Sequence, residues 1–117
     1  DQVGKTGIFD LDGEYCCASY LVRIVPDATR VNPYFLTALM NSTNFLSEIR
    51  KQAVCSAGQN NINATKMKNM EVPTPDLKDQ QKLLKEIMAH ETKRREAESI
   101  LAAAAAKKRQ ILLNCIK

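Results

Sequence analysis

The sequence predicts an α+β fold, in which a partial β-containing domain is followed by one long coiled-coil-type α-helix. Three observations lead to this class. Residues 7–25 contain two apolar runs on either side of Asp12 and Gly13, a pair typical of a β-hairpin turn. Residues 32–53 change to the apolar spacing of helices. Residues 77–117 contain neither glycine nor proline, so nothing interrupts a helix there.

The run after the hairpin turn has the pattern of an interior strand. Alternate positions from residue 16 to residue 24 are apolar, and Leu21 and Val25 make the opposite face apolar as well. A strand with two apolar faces is typical of the middle of a sheet. We therefore expect a central strand that Pro26 ends.

Two short helices follow. Asn32 before Pro33 predicts an N-cap and a proline at the first helical position. A break is predicted around residues 41–43, with Thr43 capping the second helix. The apolar stripes that we expect to face the core are Phe35, Leu36, Leu39 and Met40, and then Phe45, Leu46, Ile49 and Ala53.

An amide-rich stretch separates these helices from the long one. Residues 56–63 have no apolar period and are predicted to form a loop, after which Asn63 or Thr65 starts a short helix. Pro73 and Pro75 keep the next segment extended, because a residue before proline avoids the helical region.

The long helix, residues 77–117, would measure about 60 Å. A helix of this length cannot bury its apolar stripe alone, so we expect it to pair antiparallel with a second helix. The residues that we assign to helix pairing or to partner binding are Leu83, Leu84, Ile87, Leu101, Ile111, Leu112 and Ile116.

Composition restricts the functional class. Residues 77–117 carry ten Lys or Arg against five acids, whereas residues 1–76 carry seven against eight, so the positive charge lies in the C-terminal segment. No apolar run approaches the length of a membrane span, and we expect a cytosolic piece of a longer polypeptide. The four cysteines form no CxxC pair, which favours reduced, partly buried thiols over disulfides or a metal site. No carboxylate pair, activated nucleophile or phosphate loop predicts catalysis.

The side chains of the amide-rich stretch suit DNA. Asn and Gln can read adenine edges in the major groove, and Lys and Arg can neutralise phosphates. The alternative is that the amides make turns and caps and that the basic residues lie on solvated helix faces. The candidates for DNA contact are Gln59, Asn60, Asn61 and Asn63 for bases and Arg50, Lys51, Lys66 and Lys68 for phosphates.

The order of these motifs resembles the specificity subunit of type I restriction-modification systems. That family closes a target-recognition domain with a Gly-Gln loop, an Asn-Ile and a Pro-x-Pro before an acid and a Gln, and then continues into a long helix. The matching residues here are Gly58, Gln59, Asn61, Ile62, Pro73, Pro75, Asp79 and Gln80 or Gln81. The resemblance extends from about Gly7 to Lys117.

The resemblance implies a non-catalytic DNA-reading subunit. Residues 1–76 would be the C-terminal part of a target-recognition domain that reads half of a bipartite target in double-stranded DNA. Residues 77–117 would be the conserved helix, which spaces two recognition domains and pairs with a second such helix in the same chain, another chain or a second copy. The helix would also bind the methyltransferase (modification) subunits of a complex that includes restriction subunits. S-adenosylmethionine, ATP and Mg²⁺ would be bound only by those partner subunits.

A second function remains open from the residues alone. The long helix could dimerise a protein-interaction module that binds no DNA. Loss of duplex binding with added salt, together with preference for one sequence, would distinguish the DNA-reading function from this alternative.

Overall fold

The computed structural model describes residues 3–56 and 59–116 of the chain. These residues fall into two compact units, residues 1–84 and residues 85–117. The secondary-structure elements are α1 (Pro33–Met40), α2 (Thr43–Gln52), β1 (Val54–Ser56), β2 (Gln59–Asn61), α3 (Ala64–Lys68) and α4 (Leu77–Cys115).

The predicted α+β class is wrong. The described residues are mainly helical, and strand pairing is confined to the three-residue strands β1 and β2, so they contain no β-containing domain. Residues 7–25, predicted as a hairpin, include Gly13 at a φ of +128° but no strand. A strand with two apolar faces needs a bonded neighbour on each side. The described chain supplies none, and Tyr20, Leu21 and Val25 are exposed.

Local signals give α1 and α2 their limits. Asn32 accepts hydrogen bonds from the backbone N–H groups of Tyr34 and Phe35, at 2.9 and 3.3 Å, and Pro33 opens α1 as predicted. The cap of α2 is Ser42, whose hydroxyl accepts from the N–H of Phe45, and not Thr43 as the sequence predicts. Either hydroxyl residue suits an N-cap, so composition alone leaves the position open by one residue.

The core of the first unit lies where the two apolar stripes meet. Phe35, Met40 and Ile49 are its buried apolar residues, which confirms that both stripes face inward. Gly4 of the N-terminal segment lies against the Ile49 side chain and has a φ of +84°. A Cβ there would lie 2.7 Å from the Ile49 side chain, so a residue other than glycine would both strain the backbone and displace the core.

A side-chain amide fixes the N-terminal segment to the end of α1. Asn41 accepts from the N–H of Thr6 at 3.0 Å and donates to the carbonyl of Thr6 at 2.7 Å. The same amide donates to the carbonyl of Thr37 at 3.0 Å. One side-chain amide thus bonds both the N–H and the carbonyl of Thr6, as the backbone of a neighbouring strand would. These bonds hold Thr6, which precedes Asn41 by 35 residues, at the end of α1.

The helices after the strand pair also begin with side-chain caps. Asn63 accepts from the N–H of Lys66 at 2.9 Å, which confirms the predicted start of α3. Asp76 accepts from the N–H of Asp79 at 2.9 Å as α4 begins at the predicted Leu77. The α4 residues of the second unit are exposed throughout their described length.

Candidate nucleic-acid interface

Three of the four predicted base-reading residues, Gln59, Asn60 and Asn61, form the second strand of a short pair between two helices. The chain leaves α2 at Gln52, forms the antiparallel pair β1–β2, and returns to α3 at Ala64. The stretch predicted as a loop therefore includes one of the two strands, and Gly58 lies outside the described residues. The backbone register pairs Val54 with Asn61, Cys55 with Asn60, and Ser56 with Gln59.

Asn63 ends this segment and has a defined structural role. Its side-chain oxygen is the N-cap acceptor of α3, and the residue itself is exposed. A side-chain amide that caps a helix keeps its NH₂ group free to donate. Asn63 therefore has the capping role that the sequence offered as the alternative to DNA contact. Base reading by its NH₂ group stays a prediction.

The four predicted phosphate contacts lie in the last turns of the helices that flank the strand pair. Arg50 and Lys51 belong to α2, and Lys66 and Lys68 belong to α3. Positive charge at these positions also offsets the negative end of each helix dipole. The two pairs thus bring positive charge to both ends of the chain segment that contains Gln59, Asn60 and Asn61.

Two of these cations are already engaged. Lys51 forms an exposed ion pair with Glu48, with Nζ and Oε1 2.6 Å apart. Lys66 is half-buried, and its ammonium donates to the carbonyl of Gln52, the last residue of α2, at 2.8 Å. Within the described residues, the side chains of Arg50 and Lys68 are exposed and form no hydrogen bond or ion pair. Those two cations are therefore free to contact a phosphate.

A shallow groove beside α2 does not suit an anion. It has a volume of about 350 Å³, and two carboxylates, Glu48 and Glu71, contribute to its wall. Negative charge would repel a phosphate backbone, so we place no nucleic-acid contact in this groove. Its remaining lining residues are Phe45, Gln52, Asn69 and Met70.

Gln80 is a residue whose importance sequence reasoning missed. It is fully buried, although it lies in the first turns of a helix whose other described residues, apart from the half-buried Leu84, are exposed. Its Oε1 accepts from the N–H of Asn32 at 2.8 Å, and its Nε2 donates to the carbonyls of Arg30 and Pro75 at 2.9 and 2.7 Å. The family motif indicated Gln80 or Gln81 without a role, because the partners lie 48 and 50 residues earlier.

The residues predicted for helix pairing form no buried core in this structure. Leu84 is half-buried in the first unit, and the other six are exposed, as a surface that binds a second helix requires. Whether a second helix covers them stays a prediction. The exposed six are Leu83, Ile87, Leu101, Ile111, Leu112 and Ile116.

An ion-pair cluster lies between the apolar ends of α4. Arg94 bonds the carboxylate of Glu91 through Nη2 at 2.9 Å and through Nε at 3.1 Å, and it also pairs with Glu98. The hydrogen bond from Arg94 holds the pKa of the Glu91 carboxyl below its usual value and raises the pKa of Arg94. The three side chains keep this exposed part of the helix solvated.

The cysteines and acids of the described chain provide no metal centre. Cys16, Cys17 and Cys115 are free thiols, and the structure exposes them, which corrects the prediction that they are partly buried. No group of three or more His, Cys, Asp or Glu converges among the described residues. Nor does any helix in this part of the chain have the length and apolarity to cross a membrane.

The family assignment follows from comparison with known proteins. Residues 2–100 match the model of the type I restriction modification DNA specificity domain. The chain belongs to this family. The match confirms the resemblance drawn from its motifs, and it identifies the specificity domain as one associated with recognition of DNA sequence.

A curated relative of the specificity domain comes from Methanocaldococcus jannaschii. It is named "Putative type I restriction enzyme MjaX specificity subunit", and it is 28% identical over 89 residues. The aligned region covers 73% of this chain but only 20% of the relative, so the chain spans about a fifth of that protein's length. No solved structure matches.

Proposed function

We propose that the specificity domain is a non-catalytic DNA reader that recognises one half of a bipartite target in a type I restriction-modification complex. The observation that carries this proposal is the β1–β2 pair, whose second strand is Gln59–Asn61, between the basic last turns of α2 and α3. Amide side chains can pair with adenine edges, and flanking cations can fix the register on the backbone. Membership of the family supports the same function.

The free cations give this function its electrostatic part. Within the described residues, the side chains of Arg50 and Lys68 are exposed and unpaired, one before and one after the strand pair in the chain, so each can neutralise a phosphate. Every neutralised phosphate releases counterions, and binding should weaken with added salt by a slope of about −0.9 per contact. Such contacts would hold the domain on any duplex, while the amides select the sequence.

The long helix has a different part in this proposal. Residues 1–76 would be the C-terminal part of the target-recognition domain, and residues 77–117 would be the conserved helix. Through its exposed apolar residues the helix would bind a second conserved helix and the modification subunits. A spacer of this kind would separate half-sites by about one turn of DNA, ~34 Å, or a related distance. Methylation and cleavage, with S-adenosylmethionine, ATP and Mg²⁺, would belong to the partner subunits.

Selection of DNA sequences tests this function. We expect the chain, assembled with its modification subunits, to enrich one half-site from a library of duplexes with a randomised core. The double variant Gln59→Ala and Asn61→Ala should lose at least about thirtyfold of its discrimination between that half-site and a scrambled duplex, because it removes two bidentate amide–adenine contacts that each discriminate by ~1–3 kcal/mol. Binding to the scrambled duplex should be unchanged.

Lys82→Ala is the control, since Lys82 is exposed and belongs to α4, not to the strand pair. It should keep the wild-type preference. Unchanged discrimination in the Gln59 and Asn61 variant would remove both residues from the readout. Failure of the wild-type assembly to prefer any sequence would reject DNA reading itself.

The second candidate is a protein-interaction module without DNA binding. The exposed apolar residues of α4 favour it, because a surface of this kind suits a helical partner. Sequence-independent duplex binding, or none, together with stable binding of a partner helix, would favour this candidate over the DNA reader.

A further inference from the structure

The Gln80 side chain uses all its principal hydrogen-bonding groups inside the first unit. Its oxygen meets a backbone N–H, and its NH₂ group meets two backbone carbonyls, so the bonding pattern allows one orientation of the amide. It is also the only buried polar side chain among the described residues. A buried amide satisfied in this way holds its partners in place, because separating them would leave polar groups unpaired.

These bonds join three segments of the chain. One is the turn that ends at Asn32, the second is the extended step at Pro75, and the third is the first part of α4. Asn32 in turn caps α1 with its side chain, next to the buried Phe35. A continuous path of hydrogen bonds therefore runs from α4 to the core of the first unit.

The adjacent residue shows that this arrangement is specific to one position. Gln81 has the same side chain, yet it is exposed and forms no side-chain hydrogen bond within the described part of the chain. Helix geometry turns it about 100° away from Gln80. The pair of glutamines thus contains both the anchored residue and its natural control.

We propose that Gln80 is a positioning residue that fixes the first turns of α4 to the backbone of Arg30, Asn32 and Pro75 within the first unit. It would thereby determine the spacing between half-sites that the assembled complex prefers. This inference rests on the proposed function, because it gives α4 its task as a spacer. Gln80 itself need not touch DNA: it acts through the backbone of Arg30, Asn32 and Pro75.

Hydrogen exchange tests the anchor in the chain itself. The N–H of Asn32 donates to Gln80, so the variant Gln80→Ala should lower the protection of this amide by about tenfold, while Gln81→Ala leaves it unchanged. Gln80→Met, which fills the volume but makes none of the three bonds, should have the same effect. Protection at the wild-type level in both Gln80 variants would overturn the inference.

The spacing is tested in the assembly with the modification subunits. The probes are the selected half-site alone and duplexes with two half-sites whose separation increases by single base pairs. The Gln80 variants should bind the lone half-site as the wild type does but lose about tenfold of the discrimination among separations, since the first turns of α4 are no longer fixed to the backbone of Arg30 and Asn32. Gln81→Ala should discriminate as the wild type does.

The other outcomes separate the two proposals. Retained discrimination in the Gln80 variants, with specific binding by the wild type, would overturn the inference and leave the DNA-reading function standing. Loss of half-site binding or of folding in both variants would make Gln80 a purely structural residue and overturn its positioning role. A wild-type assembly without sequence preference would overturn both.

Discussion

Lys66 and Lys68 lie two residues apart on α3, but their ammonium groups have different surroundings. Lys66 donates to the carbonyl of Gln52, the last residue of α2, whereas the exposed side chain of Lys68 forms no hydrogen bond in the described chain. Because Gln52 and Lys66 lie before and after the strand pair, their hydrogen bond connects the two ends of the segment that contains it. Sequence reasoning treats both lysines as phosphate contacts, since a list of charges contains no information about their neighbours.

The two lysines should therefore respond differently to substitution. Lys68→Gln should reduce the salt dependence of duplex binding by about one phosphate contact, a change of ~0.9 in slope, on every sequence alike. Lys66→Met should leave the slope unchanged and lower the free energy of unfolding by about 1 kcal/mol, because it removes a half-buried hydrogen bond. Binding titrations over a range of salt concentrations and denaturant unfolding measure the two effects. A smaller salt dependence of duplex binding in Lys66→Met would indicate that Lys66 does contact a phosphate.

The hydrogen bonds of a local turn lower the pKa of the Asp27 carboxyl. Thr29 donates to its carboxylate through its hydroxyl at 2.7 Å and through its N–H at 2.9 Å. These hydrogen bonds, with a smaller contribution from the charge of Arg30, hold the pKa of the Asp27 carboxyl below its usual value. The turn leads directly to Arg30 and Asn32, whose backbone groups bond Gln80.

The variant Thr29→Val should raise the pKa of Asp27 toward that of an ordinary aspartate. Because the folded-state pKa is depressed, the stabilisation is present above the unfolded value of about 3.9 and is lost as the pH falls through the folded value. The variant should thus be less stable than the wild type near neutral pH and equally stable in acid. Titration of the carboxyl by NMR and unfolding at several pH values measure both effects, with the exposed Thr43→Val as control. An unchanged Asp27 pKa would contradict the role of the hydroxyl.

At the scale of elements, the sequence predicted what local signals determine. The proline and cap at the start of α1, the cap of α3 and the start of α4 depend on residues within one turn of each helix. The strand predicted for residues 16–25 depends on neighbours elsewhere in the chain, and the described residues provide none. The same limit applies to Gln80, since only the folded chain brings Arg30 and Asn32 to it.

Within α4, the charged cluster explains why a uniform apolar stripe is absent. The side chains of Glu91, Arg94 and Glu98 are all at least half-exposed, so their ion pairs contribute little to stability. Polar residues within a helical seam select a register and a partner at a cost in affinity. The apolar residues on either side, such as Ile87 and Leu101, are therefore the ones expected to supply affinity for a second helix.

At the scale of the whole molecule, the second unit offers an internal comparison for helix pairing. Leu101 lies within about 40° of Ile87 and Leu112 around α4, whereas Ile100 lies about 100° away. Leu101 and Ile100 are each 69% exposed, so in the single chain they are equally accessible to solvent. A second helix bound to the face that contains Ile87, Leu101 and Leu112 would bury Leu101 more than Ile100.

Leu101→Lys should therefore weaken association of the chain with a second helix, and Ile100→Lys should not. Burying one leucine contributes ~1.5–3 kcal/mol, so the dissociation constant should rise by at least about tenfold. Analytical ultracentrifugation of the chain, and of its complex with the modification subunits, measures the change, while circular dichroism checks that α4 stays helical in both variants. Equal weakening by the two substitutions would place the interface elsewhere on α4. A monomer that also fails to bind the modification subunits would leave α4 without the partner that its exposed apolar residues predict.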